Sequence, residues 1–362
     1  MTVVRRAPGK LFVAGEYAVV DPGNPAILVA VDRHVTVTVT DPTEPGVQIT
    51  SDLGPTAQRH HWKDGRLGAE PYARSGFAPV LSAIDTVARL LSEHGAPAPE
   101  FSLSIESGLH DHGTKYGLGS SGAVTVATVD AVAAYRGLAL SDEERFRLAL
   151  IASAELDPKG SGGDLAASTW GGWIAYRAPD RIAVRDLART RGVEAALRAP
   201  WPGFGIRRLP GPEGLSLEVG WTGHPASTTA LVSGLHRRTW RGTPAHRRFV
   251  RATTDCVRAA ISALERGDDQ ELMDRIRQAR RELTRLDDEM ALGIHTARLA
   301  ALCEIAEAAG GAAKPSGAGG GDCGIALLAA TATRDIARLR ERWAAAGVVP
   351  LPIRPAAEGN PQ

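Results

Sequence analysis

Lys115-Tyr116-Gly117-Leu118-Gly119-Ser120-Ser121-Gly122-Ala123 is the stretch on which the reading of this chain turns. Three glycines and two serines run straight into residues 121–135, a small-residue segment that reads as a helix. Glycine lets a backbone come close to a ligand, and the amide groups at a helix start aim positive potential outward. Such a junction is a ready anion site. The Ser120 and Ser121 hydroxyls can meet phosphate oxygens or a magnesium ion. Gly117, Gly119 and Gly122 formally satisfy the dinucleotide pattern G-x-G-x-x-G, which needs an apolar strand directly before it. The nearest strand pattern, residues 101–106, ends about ten residues too early, so that reading fails. A G-x-x-x-x-G-K-[ST] loop is absent as well, since Lys10 is followed by Leu11.

Working outward, two further loops share this chemistry. In Pro158-Lys159-Gly160-Ser161-Gly162-Gly163-Asp164-Leu165-Ala166 a carboxylate sits among small residues. It can approach a reacting hydroxyl and accept its proton or orient it, although an aspartate at a helix start is also a common cap. Ser316-Gly317-Ala318-Gly319-Gly320-Gly321-Asp322-Cys323-Gly324 packs five glycines into the eight positions 317–324, more than a turn requires. Near the N-terminus, Ala7-Pro8-Gly9-Lys10-Leu11 precedes Gly15-Glu16-Tyr17-Ala18-Val19-Val20. Only five of the 42 basic residues are lysines, and Lys10, Lys115, Lys159 and Lys314 all sit in or beside these loops. A lysine is a compact point charge suited to phosphate in a tight site, so the four are read as marks of a polyanion site.

The 362 residues are more than one compact domain needs, and 43 % apolar with 23 % charged residues is a globular, enzyme-like balance. A net charge of +1 argues against a coat for nucleic acid or an anionic membrane. No targeting or membrane-spanning pattern is visible, and three scattered cysteines form no disulfide framework. A cytoplasmic location follows as the expectation. Strand patterns dominate residues 1–110, with a helix pattern at 78–93. Helix patterns dominate after 225, at 225–239, 245–265, 268–286 and 294–309. An Arg- and Pro-punctuated stretch at 184–203 marks the expected boundary between a lobe at 1–190 and a lobe at 200–362. Strands and helices in blocks predict an α+β protein.

These motifs, in this order, resemble the GHMP kinases, the family of galactokinase, homoserine kinase and mevalonate kinase. The resemblance runs from about residue 8 to 353. It implies a two-lobed fold, with an N-terminal lobe like ribosomal protein S5 domain 2 and a ferredoxin-like C-terminal lobe. It also implies ATP as phosphoryl donor, with the phosphates on the 117–123 loop: Lys115, Gly117, Leu118, Gly119, Ser120, Ser121, Gly122 and Ala123. Asp164 and Lys10 match the catalytic positions. Tyr17, Lys115, Ser161, Ser227, Thr228, Ala318 and Gly319, together with Lys10, match substrate positions. Magnesium falls to Ser120, Ser121 and Glu155. The strings Gly9 to Ala18, Val219-Gly220-Trp221-Thr222 and 317–327 match the branch whose acceptor is 5-phosphomevalonate, in the mevalonate route to isopentenyl diphosphate. Mevalonate kinase, a decarboxylase of the same fold and a non-catalytic metabolite sensor remain the alternatives. Oligomeric state, monomer or homodimer, is left open.

Overall fold

The computed structural model describes residues 1–63, 65–68, 75–111, 113–224 and 240–356. Its first sheet is built on two long strands, β1 (Thr2–Ala14) and β2 (Pro25–Thr40), paired antiparallel. The alternating Val-Thr run at residues 35–40 suits a pleated surface with one buried face. Around them lie β3 (Val47–Ser51), β4 (Gly54–His60), β5 (Phe101–Ser107), β6 (Trp173–Arg177) and β7 (Gly205–Leu209), in the order β7-β6-β2-β5-β3-β4, with β1 also on β2. Only β3 and β5 run parallel. Four helices pack against this sheet and each other: α1 (Ala78–Glu93), α2 (Ser120–Tyr135), α3 (Asp142–Leu156) and α4 (Gly163–Trp170). The central helix α2 touches β1, β2 and the other three helices, which explains its Ala, Val and Gly content: larger side chains would hold the elements apart. Helix α3 opens with the capping box that Ser141 and Glu144 announce, the Ser141 hydroxyl accepting from the Glu144 amide.

The second sheet contains β8 (Leu215–Trp221), β9 (Ala312–Pro315), β10 (Cys323–Ala329) and β11 (Val349–Leu351) in the order β9-β10-β8-β11, all antiparallel. Helices connect the first strand to the second and the third to the fourth. This is the split βαβ arrangement of a ferredoxin-like lobe, as expected. The described helices after residue 240 span Pro244–Arg266, Asp269–Met290, Ala297–Ala308 and Thr333–Ala345. The 225–239 helix expectation lies outside the described residues. One apolar core runs through both lobes, from Leu11 and Val29 to Val219, Val257 and Ile325.

Two expectations need correction. The stretch 184–203, read as the lobe boundary, lies largely in two helices, Arg181–Arg191 and Val193–Arg198. Since β7 pairs with β6, the first sheet continues to Leu209, and the sheets divide after it, later than the 190–200 boundary read from composition. The arginines there are paired or lie on exposed helix faces, and Asp180 caps the first of the two helices. The tail also returns to the first lobe, where the Ala356 N–H donates to the Ala30 carbonyl at 2.8 Å. Among the described residues no helix is long and apolar enough to cross a membrane.

Candidate active site

Strand β1 delivers the first functional side chain. Its pairing with β2 slips between Pro8 and Lys10, where proline has no N–H to give the ladder. Gly9 sits at that slip because a Cβ there would lie 2.7 Å from Leu109 Cδ2 and 2.8 Å from the Leu118 carbonyl. The strand therefore runs hard against the 115–123 loop, and the Lys10 N–H donates to the Leu118 carbonyl at 2.8 Å. The Lys10 ammonium then reaches the Gly117 carbonyl at 3.2 Å, with the residue only 8 % exposed.

The loop itself is held by glycine geometry. Gly117 (φ 83°) and Gly119 (φ 77°) adopt backbone that L-residues rarely enter. Gly119 is the N-cap of α2, and no side chain caps the helix. Gly119, Ser120, Ser121 and Gly122 line a cleft of about 540 Å³, the size of a small-molecule site. An uncapped helix start facing such a cleft offers N–H groups and positive potential to an anion.

Asp164 comes from the other side, in the first turn of α4. The glycines before it are fixed by packing. A Cβ on Gly162 would lie 2.4 Å from Leu150 Cδ1, and one on Gly163 3.1 Å from both Leu28 Cδ2 and Phe12 Cζ. The Ser161 hydroxyl accepts the Gly163 N–H at 3.2 Å, and the Tyr176 hydroxyl holds the Ser161 carbonyl at 2.8 Å. Burial pushes the Asp164 carboxyl above the ordinary aspartate range, against the pull of Lys10 and of backbone N–H groups. A carboxyl of raised pKa facing a lysine in a cleft marks a candidate functional site.

The third wall is the 317–321 loop with Tyr17. The Tyr17 hydroxyl donates to the Ala318 carbonyl at 2.5 Å. Burial, with the Asp287 and Glu16 carboxylates, raises its pKa and keeps it a donor. Tyr17 has φ 62°, a strained conformation for a bulky residue that costs roughly 1–3 kcal/mol.

Of the residues anticipated from sequence, the structure brings Lys10, Tyr17, Lys115, Gly117, Gly119, Ser120, Ser121, Gly122, Ser161, Asp164 and Ala318 to one cleft. Leu118 and Ala123 are buried behind it. Gly319 packs under Ile294, where a Cβ would lie 2.6 Å from the Ile294 carbonyl. Ser227 and Thr228 lie outside the described residues. Glu155 is elsewhere: its carboxylate accepts from Arg189 Nε at 2.8 Å and lies 3.7 Å from Arg89, away from the cleft lining. The four loop lysines also divide. Lys10 and Lys115 line the cleft, Lys159 is exposed outside the lining, and Lys314 is fully buried in an ion pair with Glu16. Lys314 is therefore no phosphate ligand. Three cleft carboxylates were not singled out as site residues: Glu16, Asp157 and Asp322. Glu16, a charge inside an apolar run, was the readable signal; Asp322 is placed by the fold, which sets it where a Cβ on Gly117 would meet its Cγ at 2.3 Å.

Among the described residues no three His, Cys, Asp or Glu side chains gather as a metal cage. The hydroxyls of Ser120 and Ser121 with the cleft carboxylates fit a hard cation that keeps most of its ligands as phosphate and water oxygens.

Known proteins show the same organisation. The model of the GHMP kinases N terminal domain matches residues 80–172, and that of the GHMP kinases C terminal region matches residues 260–345. The chain belongs to the GHMP kinases, and its two lobes are the two lobes of that fold. Within the family it is a homologue of the phosphomevalonate kinase of Streptomyces sp. (strain CL190), with 67 % identity over 367 residues, 99 % of this chain and 98 % of the relative. The solved structure of Streptococcus pneumoniae phosphomevalonate kinase in complex with phosphomevalonate and AMPPNP superposes with a TM-score of 0.84 at 27 % identity, covering 98 % of this chain and 99 % of that one. A Listeria innocua protein superposes with a TM-score of 0.90 at 32 % identity over the full length of both chains.

Proposed function

We propose that the protein catalyses ATP + (R)-5-phosphomevalonate → ADP + (R)-5-diphosphomevalonate. The observation that carries the acceptor is the 67 % identity with the Streptomyces phosphomevalonate kinase over nearly the whole chain. The cleft supports the chemistry. ATP phosphates belong at the uncapped start of α2, on Gly117, Gly119, Ser120, Ser121 and Gly122. The acceptor is a phosphate monoester whose second pKa is about 6, so its oxygen is already ionised near neutral pH. Asp164 then has no proton to take from the acceptor oxygen; its task is to orient the acceptor and Lys10. Two polyanions must approach each other, and Lys10 and Lys115 offset their repulsion where negative charge builds up. Magnesium held by Ser120, Ser121 and the ATP phosphates would neutralise charge on the donor. Three free, buried cysteines agree with a reducing compartment such as the cytoplasm.

The test is turnover with ATP and magnesium against mevalonate, 5-phosphomevalonate, 5-diphosphomevalonate, homoserine and galactose, followed by phosphorus NMR. A new diphosphate signal with 5-phosphomevalonate alone is the expected result. Conversion of mevalonate instead would move the protein one step earlier. Carbon dioxide release from 5-diphosphomevalonate would make it a decarboxylase, and ATP binding with no turnover a sensor.

A further inference from the structure

The 317–321 loop is the least self-supporting wall of the cleft, because its glycines leave the backbone free to choose among many conformations. It is held from outside. The Gly320 N–H donates to the Ile294 carbonyl at 2.9 Å, and the Asp322 N–H to the His224 carbonyl at 2.9 Å. At its entry the Ser316 hydroxyl accepts the Phe12 N–H at 2.9 Å and donates to the Phe12 carbonyl at 3.0 Å, and further ties come from the next corner of the first lobe, Glu16-Tyr17. The Glu16 carboxylate takes the Lys314 ammonium and lies 3.4 Å from the Gly317 N–H. The Lys314 ammonium also donates to the Pro315 carbonyl at 2.6 Å, and the Tyr17 hydroxyl holds the Ala318 carbonyl. Thus three anchors, Lys314 on the entry strand and Gly317 and Ala318 in the loop, answer to two consecutive residues of the other lobe.

Two features of this corner are unfavourable in isolation. A fully buried ion pair is a poor source of stability, since apolar residues of the same volume do as well or better. A tyrosine at φ 62° is strained. Both are retained where they aim a side chain across the lobe junction onto one loop. Their partners lie within 314–318, and neither side chain bonds the start of α2.

We infer that Tyr17 and the buried Glu16–Lys314 pair are positioning residues that latch the 317–321 loop over the cleft, setting affinity for the phosphoryl acceptor and leaving that for ATP alone. Tyr17 acts on the acceptor through the Ala318 backbone, not by touching it. The inference rests on the reading of this cleft as a phosphoryl-transfer site.

The experiment uses the full-length protein and two variants. Tyr17→Phe removes one hydroxyl. Glu16→Gln combined with Lys314→Met removes both buried charges at nearly constant volume, which avoids leaving one of them unpaired. Amide hydrogen exchange of the peptide covering residues 317–321 is compared with KM for 5-phosphomevalonate and for ATP. The latch requires exchange at least ~10-fold faster in both variants. It also requires an acceptor KM raised about 5-fold or more, the scale of one lost hydrogen bond, with the ATP KM within about 2-fold. A raised acceptor KM with unchanged exchange would mean that Tyr17 contacts the acceptor directly, and overturns the latch. Equal rises in both KM values overturn it too. If the unmodified protein does not turn over 5-phosphomevalonate, the functional reading falls, and the exchange comparison alone still decides the latch.

Discussion

Lys10 and Asp164 face each other across Gly119: a Cβ on that glycine would lie 3.0 Å from Lys10 Cγ and 3.3 Å from Asp164 Cβ. Two residues 154 positions apart, an ammonium and a carboxylate, are thus set on either side of the residue that starts the central helix. The proposed chemistry depends on that arrangement, and so do the predictions.

Removing either partner should disable turnover while the fold stands. Lys10→Ala and Asp164→Asn should each lower kcat by at least ~10²-fold, the usual scale for a lost electrostatic or acid–base group. The double variant should lose much less than the product of the two, because the residues act as a unit. Steady-state kinetics on the three proteins, with circular dichroism as a fold check, decides the matter. Near-normal rates in both single variants would remove the pair from the mechanism.

Acidity gives an independent handle on Asp164. Burial holds its carboxyl above the ordinary value of 3.8, so the folded state binds that proton more tightly than the unfolded chain. Stability from this group is fully present below pH 3.8 and is lost as pH rises through the raised pKa. Asp164→Asn should therefore melt higher than the parent at pH 7, and the gain should shrink on acidification. The parent's kcat should fall more steeply on the acid side than the variant's residual activity, because protonation of Asp164 adds to protonation of the acceptor phosphate, whose second pKa is about 6. Melting curves and pH–rate profiles check both; a variant that melts lower at pH 7 contradicts the sign.

Gly119 should tolerate no side chain. Alanine there must adopt left-handed backbone, at roughly 1–2 kcal/mol, and must push the Lys10 stem aside. Gly119→Ala should cut kcat at least ~10-fold. Gly54→Ala, where a Cβ meets nothing within 4 Å, is the control expected to match the parent. Equal activity of the two variants would show that the close approach at Gly119 is not needed.

Beneath the Asp164 loop, Phe146 stacks on Phe204 with ring centroids 5.2 Å apart and meets Trp170 at 5.1 Å and Tyr176 at 6.0 Å. It is fully buried, so Phe146→Ala should cost about 3–5 kcal/mol in urea unfolding. Because Tyr176 also holds the Ser161 carbonyl, kcat should fall along with stability. A loss below ~1 kcal/mol would mean the cluster repacks freely.

The sequence by itself determined the local pieces. Glycine runs, lysines and the lone loop aspartate announced the phosphate chemistry, since each needs only its own backbone freedom or charge to be recognised. The helices at 78–93 and 121–135 and those at 245–265, 268–286 and 294–309 were legible from their periodicity, to within a few residues at their ends. The motif order disclosed the family and with it both lobes. Tertiary structure alone decided which charges face the cleft. Lys314 and Lys10 look alike in sequence, both being lysines in or beside glycine-containing loops. One is paired with Glu16 across the lobe junction, with 298 positions between them, while the other reaches into the site. Glu155 likewise was claimed by two arginines, Arg89 and Arg189, the latter on a helix in the stretch that composition had marked as the lobe boundary. A side chain's partner depends on which distant elements the core brings beside it, and no window of sequence contains both halves of such a contact.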